Sequence, residues 1–338
     1  MGICRQNVTD YFFSVMRSIM ASIMLSLTHT DSGLFCNLNL QYFYRLFQHL
    51  ASLSKRLAFK YEFHKLSKSL IIVSAIEATT MELLANLSLT ELVTYQWINN
   101  VARYLLVAGL SYLILWKWGF AYFKNRFLYS ELPKKKDLQR EFIYSVLSTA
   151  IFLIPTVIIV SAKELHLFQV YLKIGDRGLS WYLLSFVLVF FFHDTYFYWT
   201  HRLMHHQRLY KYFHKIHHLS VNPSPFAAFA FHPLEAMVEA GVFLLIPLIL
   251  PVHWSVVFLF SLFSLFMNVY AHIGFGLFKP ERIRRFPLNL ASHSTHHSWH
   301  HRFQKGNYGF YLQFWDRVMG TWKGELPKAA PSHSHLDC

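Results

Sequence analysis

The chain is poor in cysteine, in charge and in acid. Its 338 residues include only Cys4, Cys36 and Cys338, whose spacing matches neither a zinc-binding pair nor a disulfide framework. Any metal chemistry must therefore rest on other side chains. Charged residues make up 15% of the chain, against about 25% in a typical soluble domain, which argues against a soluble globule. The 18 acids face 32 Lys and Arg, for a formal net charge of +14. The positive charge gathers in loops between apolar runs, where it can set topology and meet anionic lipid. No nucleic-acid motif accompanies it, so nucleic acid is not an expected partner. There is no GxGxxG fingerprint, no haem-binding domain and no internal repeat.

Apolar residues reach 54% and aromatics 18%, with 33 Phe and 19 Tyr. They fall in long runs. Residues 104–122 are apolar apart from Lys117, and 142–161 hold no charge over 20 positions, about the length a helix needs to cross the hydrocarbon core. A third run covers 180–199. A fourth, 237–271, contains Pro247, Pro251 and His253, which mark the turn of a helical hairpin with two legs of about 17 residues. The expected fold is an all-α integral membrane protein with about four transmembrane helices, the last region a hairpin.

The loop 123–140 carries Lys124, Arg126, Lys134, Lys135, Lys136 and Arg140, and by the positive-inside rule it is cytoplasmic. The second span then runs outward, the third returns, and the hairpin leaves from and returns to the same face. Residues 1–80 fit less well: their polar stretch holds Lys55, Arg56, Lys60, Lys65 and Lys68 on what would be the wrong side. They read as a targeting leader, a peripheral helix, or an upstream extension with Met81 as the true start, the last being favoured. The membrane domain is placed at 81–325, and 326–338, with solvated His333 and His335, reads as a disordered tail.

Against this background stand 21 histidines, of which 15 fall between 193 and 301. Three clusters dominate: His201, His205 and His206; His214, His217 and His218; His296, His297, His300 and His301. Residues three and four apart share one helix face, so His201 and His205 can point together, as can members of the other clusters. Adjacent residues diverge by about 100°, so each cluster can serve two neighbouring metals. His206, five from His201, is an alternative to His205 that spacing leaves open. His272 returns to the same face at the end of the hairpin. A structural zinc takes four ligands and a catalytic zinc usually three, so roughly ten imidazoles suit two six-coordinate ions with open positions. Iron in such a shell can bind dioxygen; zinc cannot be oxidised. His193, two helical turns before His201, and His232 are further candidates for ligation or for supporting a ligand. Asp194, Glu235 and Asp316 are expected to hold imidazole N–H groups. His253 and His293 are expected not to ligate.

Two other classes fit poorly. A zinc-dependent hydrolase needs a general base near its ligands, as in HExxH, and no cluster contains Glu. A metal transporter needs ionisable groups in mid-span, and these sit at span ends and in loops.

The order of motifs goes further. Tyr198, Trp199, Thr200, His201 and Arg202 precede His205 and His206, followed by the 214–218 cluster, Pro223 to Phe226, and His232 with Pro233. After the 296–301 cluster come Gly306, Asn307, Tyr308 and Gly309, then Phe314, Trp315, Asp316, Arg317, Gly320 and Thr321. This pattern, over about 180–322, resembles the fatty acid hydroxylase/sterol desaturase superfamily of membrane di-iron enzymes, and most of all its sterol C-5 desaturase branch. The resemblance implies two irons per chain, molecular oxygen as oxidant, and a lipid substrate, a sterol or an acyl lipid. It implies a cytoplasmic lobe carrying the ligands, and a separate electron donor of the cytochrome b5 or ferredoxin type. The membrane would be the endoplasmic reticulum of a eukaryote or the inner membrane of a bacterium. Fatty acid, ceramide or carotenoid hydroxylation is the alternative within the superfamily. His193 departs from the branch, which commonly has another residue there, and nothing upstream of about residue 100 resembles it.

Overall fold

The computed structural model describes residues 87–324. The expectations for residues 1–80 and for the tail 326–338, including His333, His335 and the three cysteines, lie outside the described residues. Four helices are long and apolar enough to cross a membrane: α1 (Leu89–Trp118), α2 (Lys135–Ser161), α3 (Gly178–Met204) and a later one, Trp254–Ala271. The chain is an all-α integral membrane protein. Leu106, Ile143 and Leu183 are exposed on the outer faces of these helices at 61%, 63% and 58%. Apolar side chains exposed in this way are a liability in water and the expected surface in lipid.

Between α3 and the last span lie α4 (Gln207–Phe213), α5 (Lys215–His218) and α6 (Pro233–Ile249). The last span is α7 (Trp254–Ala271), followed by α8 (Ser294–Phe303) and α9 (Phe314–Val318). Helices α6 and α7 are the two legs of the expected hairpin. The turn is tighter than the prolines suggest. Pro247 stays inside α6, and only residues 250–253 join the legs.

The first two spans begin earlier than their apolar runs. Helix α1 starts at Leu89, where the Ser88 hydroxyl accepts from the Glu91 N–H at 3.3 Å and the Glu91 carboxylate accepts from the Ser88 N–H at 2.8 Å. That reciprocal cap satisfies two donors a helix start otherwise leaves open. Helix α2 starts within the basic loop, at Lys135. Apolar run length reports the part of a helix suited to lipid; caps report where it begins.

Two ends of the bundle can be told apart. A short parallel pairing of β1 (Val170–Tyr171) with β2 (Val252–His253) ties the α2–α3 connection to the hairpin turn. Helices α3 and α7 both run from that end to the other, where they finish beside His205 and at His272. The basic loop after α1 lies at this second end. Leu128 N–H donates to the Gly274 carbonyl at 3.0 Å, Arg126 donates to Leu277 O at 2.7 Å, and the Tyr129 and Ser298 hydroxyls meet at 2.8 Å. Basic loop and histidine-rich segments therefore share one end of the bundle.

A core of Val189, Phe197, Val242, Val256 and Phe260 joins α3, α6 and α7, and Phe310 and Tyr311 plug it from the final segment. Asp194 fastens that plug. Its Oδ1 accepts from the N–H groups of Tyr311 at 2.8 Å and Leu312 at 3.1 Å, all within the buried interior. Asp194 was expected to hold an imidazole. It holds backbone instead, because α3 turns it toward the 310–312 strand of chain and away from the histidines. Replacing Asp194 with Ala would strand two buried donors at about 1–3 kcal/mol each. The expected outcome is a clearly lower thermal midpoint in detergent; an unchanged midpoint would count against this role.

Candidate metal centre

Among the described residues, two groups of histidines place ligand atoms within 4.8 Å of one another: His201, His205, His214, His218 and His300, and His217, His272, His297 and His301. Helical spacing accounts for the partition. His201 and His205 are one turn apart on α3 and at its end; His214 and His218 are one turn apart around α5; His297 and His301 are one turn apart on α8. The neighbours His217 and His218, and His300 and His301, point to different groups, as a 100° step requires. The groups adjoin, with the His218 and His301 ring centroids 4.8 Å apart and those of His214 and His217 5.2 Å apart.

Within each group the Nε2 atoms converge. His201 lies 3.0 Å from His214, and His205 lies 3.1 Å from both His218 and His300. In the second group His272 lies 3.0 Å from His297, 3.1 Å from His301 and 3.4 Å from His217. The outward nitrogens decide what these contacts are. His201 Nδ1 is 2.9 Å from the Tyr308 carbonyl, His300 Nδ1 2.8 Å from Gly306 O, and His272 Nδ1 2.8 Å from Asn268 O. A carbonyl only accepts, so each of these rings carries its proton on Nδ1 and presents a bare lone pair at Nε2. Lone pairs gathered at about 3 Å repel unless a facing Nε2–H or a cation sits among them. Burial, reinforced by neighbouring rings, pushes His214, His217, His218, His297, His300 and His301 well below the usual imidazole range, and His272 down to about 4. The rings are thus neutral, the form that binds metal. The donor set fits two ions.

The other candidates are elsewhere. His206 is exposed; it precedes α4 and its Nδ1 accepts from the Arg208 N–H at 3.4 Å. His232 does the same for α6, accepting from Leu234 N–H at 3.2 Å. His296 is buried but turned back on its own helix start, its Nδ1 accepting from the His293 N–H at 3.0 Å. These three are helix caps, so the expectation of a metal role at these positions is corrected. His253 caps α7 at the far end of the bundle. His193 is buried in α3 amid aromatic rings, 5.2 Å from that of Phe260 and 5.4 Å from that of Tyr311, and its Nδ1 has no protein partner among the described residues. It belongs to neither group.

Of the acids, Glu235 does hold an imidazole: its Oε1 is 2.5 Å from His214 Nδ1, with both side chains buried. Asp316 acts one step back. It accepts from the N–H groups of Tyr308 at 2.9 Å and Gly309 at 2.7 Å, and so fixes the carbonyl that orients His201. A Cβ at Gly309 would fall 2.8 Å from Asp316 Oδ2 and 2.5 Å from Leu312 O, which explains glycine there. Sequence reasoning missed the carbonyls of Asn268, Gly306 and Tyr308, since backbone acceptors leave no mark in a sequence.

Residues 186–321 match the profile of the family described as Fatty acid hydroxylase. Lathosterol oxidase of Homo sapiens is 33% identical over 232 residues, 67% of this chain and 73% of that protein. The chain belongs to the fatty acid hydroxylase family, in its sterol C-5 desaturase branch. Lathosterol oxidase of Mus musculus is 36% identical over 192 residues, 56% of this chain and 62% of its own length. Delta(7)-sterol 5(6)-desaturase of Aspergillus fumigatus is 30% identical over 230 residues, 67% of this chain and 60% of its own. The chain spans about three fifths of the mouse and rat relatives. No solved structure matches it. The matched family segment contains all nine converging histidines.

The contrast between neighbours His205 and His206 is directly testable. His205→Ala is expected to lower the metal content of purified protein. His206→Ala is expected to leave metal content intact and to cost about 0.5–2 kcal/mol as a lost helix cap. Equal metal loss in both variants would reject the assignment.

Proposed function

We propose that this chain is a membrane-bound oxidoreductase that uses two irons and molecular oxygen to desaturate a sterol, introducing a 5(6) double bond into a Δ7-sterol. The observation that carries the reading is the convergence of nine Nε2 atoms in two adjoining groups. His201, His205, His214, His218 and His300 would hold one iron; His217, His272, His297 and His301 would hold the other. Bound there, iron would supply dioxygen activation and removal of hydrogen from an unactivated C–H bond, drawing two electrons per turnover from a separate donor of the cytochrome b5 or ferredoxin type.

The protein's share is position and exclusion. Carbonyls of Tyr308, Gly306 and Asn268 fix three rings, Glu235 a fourth, and Asp316 holds the Tyr308 turn in place. Eight of the nine histidines are buried, His205 alone being half-buried, so bulk water has little access to the centre. The groups lie at the ends of α3 and α7, where a lipid held between the spans would meet them. The substrate class follows the curated relatives, whose names specify lathosterol and Δ7-sterols. The basic loop packs on the histidine-bearing end, which under the positive-inside rule supports a site facing the cytoplasm. The membrane would be the endoplasmic reticulum in a eukaryote and the inner membrane in a bacterium.

Two measurements test this. Active purified protein should contain two irons per chain, and fewer would reject the two-iron scheme. Cells lacking the gene should accumulate sterols without the 5(6) double bond. A change confined to hydroxylated acyl lipids or carotenoids would instead place the chain with the hydroxylases of its family.

A further inference from the structure

The two histidine groups are not braced alike. In the five-ring group, the outward nitrogens of His201 and His300 are held by carbonyls and that of His214 faces the Glu235 carboxyl at 2.5 Å, while that of His218 has no protein partner among the described residues. In the four-ring group a protein acceptor is found only behind His272, while Nδ1 of His217 and His301 have no protein partner among the described residues. Among the described residues, Glu235 is the acid hydrogen-bonded to a histidine of either group. It sits in the first turn of α6, a 17-residue helix whose positive end favours a carboxylate. Its second oxygen, Oε2, is buried with no hydrogen-bond partner among the described residues, and the short contact of that side chain is the one with His214.

We propose that Glu235 is a positioning residue that makes the two metal positions unequal, so that the five-ring position, braced through His214, holds its ion more tightly than the four-ring position. The inference rests on the reading above that both groups bind iron. Two physical effects act in the same direction. A carboxylate behind an imidazole fixes the ring and makes its far lone pair a stronger donor; such outer partners change metal affinity by about 10–100-fold. Five donors also leave a six-coordinate ion fewer positions for exchange with solvent than four do. The four-ring ion is then the exchangeable one and the one with room for an incoming small ligand.

The test uses the full-length protein in detergent, loaded with ⁵⁷Fe(II), with iron release to a competing chelator followed by metal analysis and Mössbauer spectroscopy. Wild type is expected to show two distinct iron signals and to lose iron in two steps of one per chain. Glu235→Gln keeps the shape and removes the charge. It is expected to shift one signal and to bring the tighter step about 10–100-fold closer to the weaker one, with the thermal midpoint little changed. Glu235→Ala should shift it further. Wild-type irons leaving together in one step, or both steps unmoved in Glu235→Gln, would overturn the inference while leaving the proposed function standing. Wild type that binds no iron would overturn both.

Discussion

Bare imidazole lone pairs, gathered at about 3 Å inside a neutral interior, are the constraint around which this molecule is arranged. Three of the rings are fixed in one tautomer by backbone carbonyls, so their Nε2 atoms can only accept, and a hydrogen bond there must come from the Nε2–H of a facing ring. Such a bond serves one lone pair, whereas positive charge placed among them serves all that face it. Protons serve poorly here, because burial disfavours every charged ring. A multivalent cation satisfies several lone pairs at once, and the two groupings provide for two. Metal bound at these groups would therefore be coupled to the folding of the histidine-bearing end.

The rest of the structure can be understood as support for that arrangement. Helices α3 and α7 deliver His201, His205 and His272 at their ends, which needs spans of fixed length and a common end. The final segment, from Gly306 to Thr321, looks like loop filler in a sequence, yet it supplies two of the orienting carbonyls. Asp316 and Asp194 clamp it by accepting from backbone N–H groups on either side of Phe310. Asn307 adds a third clamp, its side-chain amide donating to the His296 carbonyl at 3.2 Å and to Gly324 O at 2.8 Å. Acids and amides in this lobe mostly hold backbone, and backbone holds the imidazoles.

Much of this was legible in the sequence. The apolar runs give the spans and the hairpin, and the i, i+4 histidine pairs give the ligand faces. What spacing could not separate was His205 from His206, or His297 from His296. The reason is chemical. A neutral imidazole nitrogen is an acceptor, and an acceptor just before a helix is a cap. His206, His232 and His253 all sit at that position, before α4, α6 and α7. A histidine-rich sequence thus contains two populations with the same residue type and nearly the same spacing. One caps helices and the other faces a cation. Only the helix starts, which spacing locates to within a residue or two at best, tell them apart.

The doublets His217–His218 and His300–His301 carry a further consequence. Consecutive Cα atoms are about 3.8 Å apart, so ring pairs that diverge from such a doublet must serve positions that are near neighbours. Two doublets on facing segments fix that neighbourhood from both sides, and the ring contacts between His218 and His301 and between His217 and His301, at 4.8 and 4.6 Å, close it. Two independent mononuclear sites would need no such pairing; each could draw its ligands from its own helix. The doublets suit the proposed function, in which two ions would act together. The adjacency of the two groups is written into the chain, while what stands behind their rings differs: two carbonyls and a carboxyl for the five-ring group, a single helix carbonyl for the four-ring group.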